Sequence, residues 1–284
     1  YKKISFYEFK EFPKIINILK GKNFSIDRNS CSIFNKSIIL SKFNILNDVD
    51  PCYSLKAIKN KIEIKNMISA HIEDGVALTK FLYWIKNKKK FNLTEMDAEK
   101  KLENFRKKNK NFLYPSFDTI AGSGPNGAII HYRVNKKSNR KIKKNDIFLC
   151  DSGGQYKYGT TDVTRTVCFS KPASKIKNIF TRVLKGHIAV SNTNLNKINT
   201  GEKIDKRART FLKKINLDYS HGTGHGVGYF LNVHEGPQSI SKFNNIKIRP
   251  GMIVSNEPGY YKEKKFGIRI ENLIYVKKNK ENIQ

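Results

Sequence analysis

Cysteine is scarce and scattered in this chain. Only four occur in 284 residues, at Cys31, Cys52, Cys150 and Cys168, and none forms a CxxC pair. That spacing excludes a disulfide scaffold or a thiolate zinc module, and it points to a reducing compartment, so a cytoplasmic location is expected. Cys150 and Cys168 sit in apolar, strand-like runs, where a cysteine serves as a small hydrophobe. Acidic residues are also few: 24 Asp+Glu stand against 55 Lys+Arg, a formal net charge of +31. No apolar run reaches the length needed to cross a bilayer, so no membrane partner is expected. The chain opens on Tyr1 rather than Met, and the native N-terminus is expected to lie upstream.

A charge of this size ordinarily suggests a polyanion partner. Here the excess is nearly all Lys, spread among Asn and Ile along the whole chain, with little Arg. A/T-rich codons give that bias, whereas nucleic-acid sites more often cluster Arg with stacking aromatics. A solvated basic surface is the preferred reading, and no specific nucleic-acid partner is expected.

Periodicity divides the chain. Residues 1–66 read as the tail of a separate module, with helical spacing over Tyr7–Leu19 and short strands at Phe24–Ile26 and Ile38–Leu40. From about Ser54 to Lys86 a long helix is predicted, with Met67, Ile68, His71, Ile72, Val76, Ala77, Phe81, Leu82 and Ile85 on the apolar side and Glu73 and Asp74 on the solvated side. Thr94-Glu95-Met96-Asp97 caps a second helix, Met96–Lys107. Strands follow at Ala128–Ile130 and Ile147–Cys150, helices at Lys175–Thr193 and Lys203–Lys214, and strands at Met252–Ser255 and Gly267–Val276. This order predicts an α+β domain whose two similar halves close on a central site.

Residues of one chemical kind recur in the second half. Asp151 and Asp162 lie eleven apart around Gly153, Gly154 and Gly159. A hairpin turning near Tyr156–Lys157 would set them opposite each other on one face, where they repel unless a cation lies between. The alternative is two solvated turn aspartates, but the apolar Ile147-Phe148-Leu149-Cys150 carries Asp151 inward. Three of the six histidines, His221, His225 and His234, fall within fourteen residues among glycines that admit close approach of the backbone to a ligand. Arg269 and Glu271 share a strand face, so the Arg is placed to hold a ligating carboxylate. His131 follows Gly127-Ala-Ile-Ile, and a structural role competes evenly with a functional one there. Asp151, Asp162, His225, Glu257 and Glu271 together offer two neighbouring divalent cations mostly hard oxygen ligands. Such a set suits hydrolysis.

The stretches Ser123–Tyr132, Asp151–Thr166, His221–Pro237 and Asn256–Asn272 resemble the pita-bread metallopeptidases, most closely the larger form of aminopeptidase P. The resemblance covers about residues 50–276. It implies a pita-bread domain over 67–284, preceded in 1–66 by the C-terminal part of a creatinase N-terminal-like domain, the whole a fragment of a longer, homodimeric protein. It further implies cleavage between an N-terminal residue and a following proline, by a hydroxide shared between two divalent ions, Mn²⁺ ahead of Zn²⁺ or Co²⁺. Asp151, Asp162, His225, Glu257 and Glu271 would hold the metals, with Arg269 and Thr164 behind them. Glu257 would act as general base, His131 and His234 would steady the reacting oxygen, and His221 would line the proline side. The alternatives are a prolidase-type Xaa-Pro dipeptidase and a nonenzymatic RNA- or ribosome-binding protein of the same fold.

Overall fold

The computed structural model describes residues 5–88 and 92–277, and the chain divides into two units between Leu55 and Lys56. In the first unit, Asn23–Ile26 and Asn44–Asn47 pair as parallel strands. Parallel pairing needs a crossover, and the Ile33–Leu40 helix supplies it. The strand predicted at Ile38–Leu40 is therefore the end of a helix. Ser32 starts that helix, its Oγ accepting from the Asn35 N–H at 3.1 Å. Ile16, Ile26, Ile39 and Phe43 form the small core.

The predicted Ser54–Lys86 helix is two helices, Pro51–Ala57 and Lys61–Lys86. Asn60 begins the second, its Oδ1 accepting from the N–H groups of Ile62 and Glu63, while the Glu63 carboxylate accepts from the Asn60 N–H at 2.8 Å. The inward face also differs from the prediction. Asp74 is only 1% exposed, whereas Ile72 is 65% exposed and Ile68 and Val76 also face outward. Apolar residues occur on more than one side of this helix, so periodicity alone could not select the buried face. Arg106, on the Glu95–Arg106 helix, selects it: its Nε and Nη2 donate to the two Asp74 oxygens at 2.6 and 3.0 Å. Tyr156 Oη donates to Asp74 as well, at 2.8 Å.

Strands Ile120–Ser123, Ile147–Ser152 and Val163–Cys168 form an antiparallel sheet. The predicted Ala128–Ile130 strand is instead the last residue of the 3-10 turn Gly124–Ala128 and the loop that follows it, where Gly124 at φ 55° turns the chain away from the sheet. Helices Ser174–Ser191 and Gly201–Lys213 pack together. The predicted Gly267–Val276 strand is split at Ile270–Glu271, because Phe266–Arg269 pairs with Gly259–Lys262 and Asn272–Tyr275 pairs with Ile253–Asn256. The Gly224–His225 strand pairs with Ser239–Ile240, and a bridge from Gly226 to Val254 ties it to the neighbouring ladder. Helix pair, sheet, helix pair and sheet thus follow in order, as expected of an α+β domain of two halves. Phe81, Leu102 and Phe148 pack under the first helix pair, and Val183, Leu212 and Ile268 under the second.

The buried Asp74–Arg106 pair generates a stability prediction. Removing one partner strands the other charge, whereas replacing both with apolar groups does not. Asp74→Ala should lower the unfolding free energy by about 3–5 kcal/mol in urea titrations. The double variant Asp74→Leu/Arg106→Leu should lose markedly less than either single change. Equal losses in all three would contradict this account of the pair.

Candidate active site

The site grows from the hairpin. Its turn is at Lys157–Tyr158, and the pairing Tyr156↔Gly159 runs in constant register to Asp151↔Thr164. Asp162 therefore sits diagonal to Asp151 on the same face, not directly opposite it as predicted. Diagonal neighbours are farther apart than direct ones, which leaves more room between the carboxylates. Asp151 and Asp162 are 8% and 3% exposed. Glu257 follows the Ile253–Asn256 strand, and Glu271 occupies the break between Phe266–Arg269 and Asn272–Tyr275. His225 arrives on its short strand because Gly224 has no side chain: a Cβ there would lie 1.9 Å from the Ser255 carbonyl oxygen.

These residues meet in a cleft of about 570 Å³. His131, Asp151, Asp162, His221, His225, His234, Glu257, Arg269 and Glu271 all line it, and Thr164 stands behind. His225 Nε2 lies 3.4 Å from an Asp162 oxygen and 3.3 Å from a Glu257 oxygen. Its Nδ1 faces the Gly226 carbonyl at 3.0 Å, so a proton on Nδ1 leaves Nε2 a free lone pair toward the carboxylates. Ligand atoms of Asp162, His225 and Glu271 all lie within 4.8 Å of one another, close enough to hold a metal ion. Asp151 Oδ1 is buried and has no hydrogen-bond partner. An orphaned carboxylate oxygen beside that trio fits a divalent cation, which would supply its missing partner.

Arg269 reaches Asp151, not the Glu271 that shares its strand face. Its Nη2 donates to Asp151 Oδ2 at 2.6 Å and its Nε to Thr164 Oγ1 at 3.2 Å. Thr164 in turn donates to Glu271 Oε2 at 2.6 Å. Two participants escaped the sequence reading. Tyr261 accepts from Arg269 Nη1 at 2.5 Å and bonds His221 Nε2 at 2.9 Å. Ser255 Oγ donates to Glu257 Oε1 and accepts from the His225 N–H, both at 2.9 Å. Tyr261 was signalled only by lying in Asn-Glu-Pro-Gly-Tyr-Tyr, and Ser255 by preceding it. Both His221 nitrogens are occupied, Nδ1 by the Gly222 carbonyl at 2.7 Å. His131 and His234 stand exposed on the cleft wall, and the His234 ring centroid is 4.0 Å from that of His225.

Burial, then the charges around it, pushes Asp162 up to about 7 and raises Glu257 and Glu271. Burial pulls His225 down, but the Asp162 bond and the nearby Glu257 charge outweigh it and raise His225 to about 9. Desolvation, reinforced by His225 and His131, lowers His234 to about 4. Without metal, the inner cluster thus keeps protons that ligation must expel. Divalent-metal affinity should rise steeply between about pH 6 and pH 9, with protons released on binding. Calorimetry in buffers of different ionisation enthalpy measures that release; pH-independent affinity with no proton release would contradict this electrostatic picture.

Comparison with known proteins agrees with the geometry. Residues 65–278 match the model of metallopeptidase family M24. "Aminopeptidase P2" of Arabidopsis thaliana is 52% identical over 226 residues, 78% of this chain and 32% of that relative. "Probable Xaa-Pro aminopeptidase P" of Phaeosphaeria nodorum is 48% identical over 238 residues, 82% of this chain and 37% of the relative. The chain therefore spans well under half the length of these curated relatives. Among solved structures, the X-prolyl aminopeptidase of Caenorhabditis elegans, described as a cytosolic enzyme with a di-nuclear active site, superposes with a TM-score of 0.78 at 36% identity, covering 85% of this chain and 40% of that one. The prolidase of Pyrococcus furiosus gives 0.82 at 26% identity, covering 97% and 79%. The fold is the pita-bread fold of these neighbours, and the chain belongs to metallopeptidase family M24.

Proposed function

We propose that the intact protein is a metal-dependent aminopeptidase that removes an N-terminal residue standing before proline. The observation that carries this reading is the convergence of Asp151, Asp162, His225, Glu257 and Glu271 in one cleft, in a chain about half identical over the matched residues to relatives named probable Xaa-Pro aminopeptidase P and aminopeptidase P2. These five residues would hold two divalent ions, with Mn²⁺ favoured by the predominance of carboxylate ligands. When bound, the ions would supply water activation and polarisation of the scissile carbonyl.

The chain's own groups account for the rest. The Xaa-Pro bond is a tertiary amide, so its nitrogen must gain a proton to leave. Glu257, with its raised proton affinity, is placed to take a proton from the attacking water and deliver it there. His234, held neutral at physiological pH, can donate a hydrogen bond to the carbonyl oxygen as negative charge develops, and His131 joins it from the facing loop. His221, fixed by Tyr261 and the Gly222 carbonyl, would form a wall on the proline side. A cytosolic location is supported by the description of the C. elegans neighbour. A homodimer is the proposed assembly of the full-length protein.

A second reading keeps the chemistry and shortens the substrate: an Xaa-Pro dipeptidase, favoured by the superposition on prolidase over nearly the whole chain. Full-length protein with Mn²⁺ should hydrolyse Arg-Pro-Pro far faster than Gly-Pro. The reverse preference would establish the dipeptidase instead, and failure on both would overturn the peptidase reading. Within that assay, His131→Ala or His234→Ala should lower kcat by roughly 10²–10³ with metal content unchanged. His225→Ala should lose metal as well as rate. If His234→Ala emptied the metal site or left kcat untouched, its role would be wrong.

A further inference from the structure

Glu95 is wholly buried, and the hydrogen-bond donors around it are neutral groups. It accepts from the Ser123 N–H at 2.7 Å, Asn126 Nδ2 at 2.9 Å, Tyr132 Oη at 2.7 Å and the Arg140 N–H at 3.1 Å. A carboxylate out of water is costly unless its oxygens are fully bonded, and here one loop supplies those bonds. That loop runs from Ser123 to Arg140 and carries His131. It has no strand of its own to hold it between the Gly124–Ala128 turn and Ile147.

Glu95 is itself fixed. It is the first residue of the Glu95–Arg106 helix, where the helix N-terminus favours negative charge. The Thr94–Asp97 capping box rigidifies that end, and the Glu95 N–H donates to the Arg140 carbonyl at 3.0 Å. Helix, carboxylate and loop form one unit. Its contact nearest the cleft is Tyr132, which is 4% exposed and directly follows the exposed His131.

We infer that Glu95 is a positioning residue for His131: through Tyr132 it sets where the imidazole meets the reacting carbonyl oxygen. The inference rests on the oxyanion role given to His131 above. Displacing a reacting group by about 1 Å can cost roughly 10²-fold in rate, so a loop that loses its bonds to Glu95 acts on the reaction through His131.

The test is a double-mutant cycle in the full-length Mn²⁺ protein, with Arg-Pro-Pro as substrate and Mn²⁺ content measured alongside. Glu95→Gln should lower kcat by about 10- to 10²-fold, with KM and bound Mn²⁺ little changed. In the His131→Ala background the same substitution should cost almost nothing, because the group it positions has gone. Tyr132→Phe removes one bond and keeps the ring, so it covers the case in which Glu95→Gln fails to fold. Its smaller loss should likewise vanish in the His131→Ala background. Equal penalties in both backgrounds, or loss of Mn²⁺ on changing Glu95, would overturn the inference while leaving the role of His131 intact. Wild-type kcat for His131→Ala would overturn the role of His131, and the inference with it.

Discussion

Four carboxylates gathered in one buried cleft repel one another, and the surrounding structure is arranged against that repulsion. At the effective dielectric of a protein site, two like charges about 4 Å apart cost roughly 4 kcal/mol. Arg269, itself 2% exposed, sets one cation against Asp151. Thr164 and Ser255 donate hydrogen bonds to Glu271 and Glu257. The remaining charge is met by protons retained on Asp162 and His225, or by the divalent ions the cluster is shaped to accept. The same repulsion that makes the cluster costly when empty favours tight cation binding.

Each half of the domain braces its part of the cluster with a buried Asp–Arg pair. In the first half, Arg106 bonds Asp74 and also donates to Ser152 Oγ at 3.0 Å, beside Asp151. In the second, Arg209 bonds Asp205 at 2.7 Å and donates to the main-chain carbonyls of Tyr219 and His221, both at 2.6 Å. Asp205 also accepts from Thr223 Oγ1 at 2.6 Å, between His221 and His225. Helices thus brace a strand end at Ser152 and the glycine-rich segment around His221. A buried pair of this kind contributes little net stability, yet breaking it is costly. The geometry of the ligand-bearing segments depends on it.

Much of this was legible in the sequence because it rests on local pattern. The helix after Thr94 follows its capping box, the helices near Lys175 and Lys203 follow the spacing of their apolar residues, and the site residues follow motifs whose glycines mark close backbone approach. What was not legible depends on partners distant in sequence. Asp74 read as solvated because its partner Arg106 lies 32 residues away. Ile38–Leu40 read as a strand from its β-branched residues, although the Ser32 cap had already committed them to a helix. The diagonal offset of Asp162 from Asp151 depends on the register of the hairpin, and a two-residue difference cannot be read from spacing alone. Arg269 pairs with Asp151 across 118 residues, while the nearer Glu271 takes Thr164. Tyr261 and Ser255 carry no signal apart from the motif around them.

If the carboxylate–imidazole cluster is the metal centre proposed, the full-length protein depends for its activity on the ions held there. Metal analysis of the active full-length protein, before and after chelation and with the Asp162→Asn variant beside it, tests this most directly. The expected result is about two divalent ions per chain, loss of activity as they are stripped, recovery on adding Mn²⁺, and impaired occupancy in the variant. Fully active protein without divalent ions would contradict it.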